Sequence, residues 1–407
     1  MLVRFSFKNF GSFHAEATLD MRAIRSYKEH EYNLIDIGEK DLYLKVAAIY
    51  GANASGKSNF VEAYDTFFTI VRTSMNQESH VEGNDSAVIS NRYMPFLLSA
   101  NNDNTEFDAT YISLETGYEY QYGFSYNKSR IQYEWLYRRN LKTHRQSIIF
   151  ERTNSKIALG PPVKRSCEKY VDQIEDTVLA LTFLGRLKLK TRVFKECIWC
   201  ITDILALEWS CDGFTDRFLK SYFSKSFDDN KKSELLKFIN AIDIGIKDFS
   251  VEKQKDDVEV STMHIGLDGK EYWLPLGYES DGTRKAIALY SFVRLAIKYG
   301  RALIIDELNN QLHPLLVKYI VNLFYTESSV AQLIYTTHDT TLLDKRYFRR
   351  DQVWFINKDE FGQSQLYSLA EFKVRNDASF EKEYLGGSYG AIPILKDFSV
   401  EETSNGD

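Results

Sequence analysis

Apolar positions recur along this chain with two periods. Leu2 to Phe7 alternates apolar and polar side chains, and Ala17 to Met21 reads as its partner strand. Val46-Ala47-Ala48-Ile49-Tyr50 is apolar throughout, as in a strand buried on both faces. Phe60, Val61, Tyr64, Phe67, Phe68 and Val71 then form a helical stripe, followed by a polar loop over Asn76 to Asn91. Runs over Glu106 to Leu114, Tyr118 to Tyr126, Ile131 to Arg138 and Ser147 to Arg152 predict an antiparallel meander, which Gly160-Pro161-Pro162 breaks. From about Arg165 to Ile244 the period turns helical, with Leu235, Leu236, Phe238, Ile239 and Ile242 on one stripe and Gly245 as its stop. The last third alternates. A helix over Lys285 to Tyr299 stops at Gly300, Ala302 to Ile305 is a buried strand, Pro314 to about Phe324 is a helix, and Gln332 to Thr337 is a strand. Strands alternating with helices predict an α/β chain with a parallel sheet and crossover helices. No sustained heptads, internal repeats or low-complexity segments interrupt the pattern, and Glu401 to Asp407 is expected to fray.

The bulk numbers narrow the class. The 407 residues suffice for two or three packed units. Hydrophobic residues at 44% and charged residues at 27% fit a globular chain, and 14% aromatics favour a dense, sheet-bearing core. A net charge of −6 argues against a chain that coats nucleic acid over its whole surface. No apolar stretch is as long as a membrane span, so no membrane partner is expected. The N-terminus lacks a signal-peptide core, and the 4 unevenly spaced cysteines fit reduced thiols, which together predict a cytoplasmic protein.

Gly51-Ala-Asn-Ala-Ser-Gly-Lys-Ser58 fits the phosphate-loop pattern G-x-x-x-x-G-K-[ST], between the apolar strand run and the helical stripe. Glycines there let backbone amides curl around phosphate oxygens at a helix N-terminus. Gly51, Asn53, Ser55, Gly56, Lys57, Ser58 and Asn59 are the expected nucleotide contacts, with Lys57 on the β- and γ-phosphates and Ser58 on Mg²⁺. The plainer reading is a glycine-rich turn joining strand to helix. Leu303-Ile304-Ile305-Asp306-Glu307 is an apolar strand ending in two acids. Asp306 is expected to hold Mg²⁺ and Glu307 to polarise the attacking water, unless both merely solvate a strand end. His338, just past Leu333 to Thr337, is placed to contact a γ-phosphate. Glu279-Ser280-Asp281-Gly282-Thr283-Arg284 opens a helix, so it is a second anion-binding turn or an ordinary N-cap.

These four elements, in this order, resemble the ATP-binding-cassette (ABC-type) ATPases of the chromosome-maintenance and repair class. The full length resembles bacterial ATPases of anti-phage systems, RloA-like proteins and the ATPase subunits of Septu and PARIS. The opening Phe5-Ser-Phe-Lys-Asn-Phe-Gly-Ser-Phe13 and the closing stretch Glu383 to Pro393 carry the likeness at the two ends. The resemblance implies an ABC-type head in which Gly51, Gly56, Lys57 and Ser58 hold ATP. Asp306 and Glu307 are then the second nucleotide motif, His338 the switch histidine, and Ser280 and Gly282 the signature loop. It further implies a homodimer or higher homo-oligomer, with each signature acting on the partner's phosphate loop. Several positions depart from the family pattern. Asp281 and Thr283 stand where a glycine and a glutamine are usual, Leu308-Asn309-Asn310-Gln311 lacks an aspartate, Gly11 stands where many relatives carry arginine, and Asn91 to Leu98 offers no glutamine.

Two weaker signals remain. Lys128 to Arg165 holds ten Lys or Arg against two acids, Glu134 and Glu151, with Tyr133, Trp135 and Tyr137 among them, and Arg186, Lys188, Lys190 and Arg192 add a second run. This leaves nucleic acid open as a partner, beside an acidic protein or plain solvent. Cys197-Ile-Trp-Cys200 reads as core more than as a metal site, and His313 as a residue at the start of a helix.

The expected organisation is a β-rich lobe with the phosphate loop over 1–160, a helical insertion over 161–250 and a C-terminal ATPase lobe over 251–407. The chain after His338 shows no acid constellation for two-metal cleavage, so a nuclease or other toxin is expected in a separate effector protein. The rival reading is a DNA-repair or DNA-end-binding ATPase acting directly on nucleic acid.

Overall fold

The computed structural model describes residues 1–76, 87–100, 103–207, 214–242, 245–254, 257–327, 329–374 and 379–392. Cys211, most of the polar loop after residue 76, Pro393 and the terminal stretch lie outside these residues.

Two sheets carry the chain. In the first, β1 (Leu2–Lys8) pairs antiparallel with β2 (Ala17–Asp20) on one side and with β6 (Thr105–Ser113) on the other. The meander then runs through β7 (Tyr118–Tyr126), β8 (Ile131–Asn140), β9 (Gln146–Thr153) and β10 (Lys156–Leu159). A small hairpin, β3 (Leu34–Asp36) with β4 (Leu42–Leu44), precedes the central strand β5 (Val46–Tyr50).

β5 belongs to the second sheet. Its neighbours are β16 (Gln332–Thr337) and β17 (Val353–Lys358), with β15 (Ala302–Ile305) and β11 (Leu205–Leu207) beyond β16 and β18 (Ser364–Ser368) beyond β17. All five strands from β11 to β17 run parallel, and only β18 turns back. Parallel strands need both faces covered, and the alternation of side chains divides them cleanly. Ala47, Ile49, Ile304 and Ile334 enter one core, which holds α1 (Lys57–Thr73) and the inner face of the first sheet. Val46, Ala48, Tyr50, Leu303, Ile305 and Leu333 enter a second core, under α8 (Asp281–Tyr299) and α9 (Pro314–Thr326). In the first core Phe5, Tyr64, Phe67, Phe107 and Phe124 meet edge-on, tilted or stacked at 5.1–6.3 Å between centroids. Each such buried ring contributes about 1.5–3 kcal/mol.

The helical stretch comprises α3 (Lys164–Cys167), α4 (Ala180–Arg186), α5 (Val193–Thr202), α6 (Phe214–Ser226) and α7 (Asp229–Ala241), with α2 (Val88–Asn91) earlier in the chain and α10 (Phe380–Leu385) late. It is not purely helical, since β11 leaves it to extend the parallel sheet. Glu134 fastens it to the first sheet. Its buried carboxylate accepts from the backbone N–H groups of Ala180 and Leu181 at 2.8 and 2.9 Å, capping α4, and from the Tyr122 hydroxyl at 3.0 Å. A third sheet, β12 (Asp248–Gln254), β13 (Asp257–Ile265) and β14 (Glu271–Pro275), stands before α8 and was not expected from the sequence. This is the α/β layout expected above: a β-rich lobe, a parallel phosphate-loop core and an inserted, mainly helical stretch. Among the described residues, no helix is long and apolar enough to cross a membrane.

Candidate functional site

Three neighbouring strands of the parallel sheet, β15, β16 and β5, end side by side. Past their C-terminal ends stand Asp306 and Glu307, His338, and the loop Gly51–Gly56. Open α/β sheets place ligands at this edge. Asn53, Gly56, Lys57, Ser58, Asn59, Glu307 and His338 line one cavity of about 430 Å³, together with Ala54 and Lys358. Gly51 and Ser55 form the buried back of the loop. Asp306 is not in the cavity wall but is next to it, and its Oδ1 accepts from Thr336 Oγ1 at 2.5 Å.

The loop is held open by close packing. Gly56 has φ +117, and a methyl group there would collide with the hydroxyls of Ser364 and Ser12. At Gly51 it would lie 2.5 Å from the Ile356 carbonyl oxygen. Ser364 Oγ lies 2.5 Å from the Ser55 carbonyl and 2.7 Å from Ser12 Oγ, and Asn59 donates to Ser12 Oγ at 2.8 Å. A Gly56→Ala variant is therefore expected to lose about tenfold or more in ATP affinity, because backbone strain of this kind costs about 1–3 kcal/mol. Titration calorimetry reads this, and parental affinity would detach the loop from nucleotide binding.

Lys57 is buried, and its ammonium donates to the carbonyls of Gly51 and Ala52 at 2.8 and 2.9 Å. Burial lowers its pKa, and the carboxylates of Glu307 and Asp306 oppose that shift. Glu307 has φ +47, a strained conformation for a residue with a side chain. Its N–H donates to Thr336 Oγ1 at 2.8 Å, so Thr336 ties both acids to β16. Thr337 donates to Asn309 Oδ1 at 2.7 Å, and Asn309 Nδ2 lies 3.3 Å from His338 Nε2. The chemistry of these groups fits a nucleotide with its metal. The glycine cradle leaves room for phosphate oxygens, Lys57 supplies a cation, and Ser58 and Asp306 offer the oxygen ligands that Mg²⁺ prefers.

Ser280 and Gly282 stand apart from this cavity. Ser280 is the N-cap of α8, accepting from Thr283 N at 3.1 Å, and Gly282 packs near the Gln311 carbonyl. Lys285, one turn into α8, donates to the Asn310 carbonyl at 2.8 Å. Burial pushes its ammonium down to about 8, against the pull of Glu307. The segment Leu308–Gln311 thus runs from His338 on one side to α8 on the other.

The sequence did not single out Ser12, Ser364, Thr336 or Lys358. Thr336 was legible as the residue two before His338 in a strand run. Ser12 and Ser364 meet only through the fold. The segment after Asn91 packs on the opening turn, where Gly11 N donates to the Met94 carbonyl at 2.7 Å and Phe96 N to Asn9 Oδ1 at 3.0 Å. Cys197 and Cys200 are buried, with the Cys200 thiol raised to about 11 by desolvation, and no metal-ligating cluster occurs among the described residues. His313 caps α9, its Nδ1 accepting from Leu315 N at 3.2 Å.

The basic run of the meander is smaller as a surface than as a count. Arg152 is fully buried, donating to the carbonyls of Asn154, Val178 and Glu175 and facing Glu134 at 3.7 Å. Arg139 is paired with Glu119 at 2.7 Å, Arg130 faces Asp176 at 3.9 Å, and Arg138 lies over the Tyr118 ring.

A family described as "AAA domain, putative AbiEii toxin, Type IV TA system" matches residues 46–344, which span the phosphate loop, the acid pair and His338. The chain belongs to this family. Among solved structures, it resembles an Smc head bound to the C-winged helix domain of ScpA, at 14% identity and TM-score 0.47, over 94% of this chain and 99% of that one. It also resembles the SMC head domain from Thermotoga maritima, at 12% identity and TM-score 0.41, over 90% and 98%. No curated protein matches the chain.

Proposed function

We propose that this member of the AAA family binds and hydrolyses ATP as a cytoplasmic dimer. It would act as the sensor or regulatory subunit of a bacterial anti-phage complex whose effector, a nuclease or other toxin, is a separate protein. One observation carries the ATPase reading. Lys57, Ser58, Glu307 and His338, which come from three separate stretches of sequence, line a single cavity at the ends of adjacent parallel strands. In this reading Lys57 and the amides around Gly51, Asn53, Ser55, Gly56 and Asn59 bind the phosphates. Glu307 takes the proton of the attacking water, His338 orients the γ-phosphate, and Ser58 and Asp306 hold Mg²⁺. The metal, when bound, neutralises charge on the phosphates.

The dimer is supported by the position of Ser280 and Gly282. They sit at the start of a 19-residue helix, outside the cavity of their own chain. A helix N-terminus favours anions, and a second copy turned head to tail would present it to the opposite phosphate loop. Ser280→Arg should therefore leave ATP binding by the monomer intact and abolish ATP-driven dimerisation in sedimentation velocity. Normal dimerisation of that variant would refute the head-to-tail arrangement.

The defence role is supported by the toxin–antitoxin description of the family. Expression of the chain alone tests the separate effector, since growth arrest without a second protein would place the toxin here. The DNA-processing alternative rests on the basic run, and the internal and paired arginines weaken it. Salt-sensitive DNA binding that stimulates turnover would restore it.

A further inference from the structure

Two exposed apolar clusters flank the two halves of the nucleotide site. Beside the phosphate loop, Leu97, Leu98 and Phe361 are 83%, 72% and 72% exposed. Leu98, next to Leu97 in the chain, lies against the turn that carries Phe361: a methyl group at Gly362, which closes that turn, would lie 2.7 Å from Leu98 Cδ1. That turn joins Lys358, which lines the cavity, to Ser364, which supports the loop at Ser55.

Beside the signature, Tyr272, Leu274 and Tyr278 are 49%, 41% and 81% exposed. Tyr272 and Leu274 pair across the strands with His264 and Thr262. Both of these partners bond to Glu279, the residue before Ser280: Thr262 Oγ1 at 2.5 Å and His264 Nε2 at 2.7 Å. Cross-strand partners share a face, so Tyr272 and Leu274 stand on the side where the signature loop begins. Every residue of β14 is exposed, which is unusual for a strand this apolar.

Single exposed apolar side chains are ordinary, whereas clusters mark contact surfaces, and aromatic rings are enriched in the cores of such surfaces. We propose that in the ATP-bound dimer the Leu97–Leu98–Phe361 cluster of one protomer seats against the Tyr272–Leu274–Tyr278 cluster of its partner. The inference rests on the head-to-tail reading above. A two-fold axis that brings each signature to the opposite phosphate loop carries each flanking cluster toward the other, so the contact forms twice. A different protein as the occupant would give no reason for one cluster to lie beside each half-site. The contact would close the rim of the nucleotide site with apolar surface and make dimer closure depend on more than the nucleotide.

The test uses two tagged full-length chains in a Glu307→Gln, Cys211→Ser background, one with Leu98→Cys and the other with Tyr278→Cys. The cysteines at 167, 197 and 200 are buried. With ATP and a short bis-maleimide, a crosslinked heterodimer that needs both added thiols is expected, while sedimentation in parallel reports the dimer itself. A dimer without the crosslink overturns the cluster pairing and leaves the head-to-tail reading intact. Absence of any ATP-dependent dimer overturns both. Leu98→Asp with Phe361→Asp should weaken ATP-driven dimerisation by about tenfold or more, with the monomer's ATP affinity unchanged. Dimerisation at parental strength would also overturn the pairing.

Discussion

Lys57→Ala is expected to lower ATP affinity by about thirtyfold or more. Its ammonium is buried and held on the Gly51 and Ala52 carbonyls, pointing into the curl of the loop. Losing one partner of a desolvated charged contact costs about 2–5 kcal/mol, and each 1.4 kcal/mol is roughly tenfold. The other cation in the cavity wall, Lys358, is an exposed residue at the end of β17 and is not held in the loop. Titration calorimetry measures the loss, and thermal melting of the same sample shows whether the loop still folds without its lysine. A folded variant that binds ATP normally would remove this loop from the nucleotide site.

Glu307→Gln is expected to slow ATP turnover by about 10²–10⁴-fold, the usual contribution of a positioned general base, with ATP binding retained. The substitution keeps the shape of the side chain. The strained backbone at φ +47, tied through Thr336, should therefore persist. Bound but unhydrolysed ATP should then accumulate the dimer, visible as an ATP-dependent shift in sedimentation. Turnover at the parental rate would take Glu307 out of the base role.

The parts of the site that were legible in the sequence are those whose chemistry and periodicity coincide. β5 and β15 are apolar without a break because both faces are buried, and each ends in the group that faces the cavity. What escaped was local weakness or distant contact. β11 is three residues long and has no period to read, yet it extends the parallel sheet. β14 is exposed at every position, so alternation could not reveal it. Ser12 and Ser364 are 352 positions apart and become part of the loop's support only when β18 folds beside it. The basic run overstated a surface because charge counts are blind to direction. Arg152 points inward to Glu134, and Arg139 meets Glu119 from the neighbouring strand.

The segment Leu308–Gln311 gives the departures from the family pattern a physical reading. It lacks the usual aspartate, but Asn309 reaches Thr337 and His338 while the Asn310 carbonyl receives Lys285 from α8. His338 in the cavity and α8 are therefore linked through hydrogen bonds to two consecutive residues, Asn309 and Asn310.

The composite site is tested most directly by mixing two variants, Lys57→Ala and Ser280→Arg, and measuring ATP turnover. Each alone should be inactive, since one lacks the phosphate-loop cation and the other blocks the signature. A mixed dimer has one site in which an intact phosphate loop meets an intact signature. Turnover should reappear on mixing, up to about a quarter of the parental rate for random pairing in a two-fold dimer. A mixture as inactive as its components would contradict a site built from two chains.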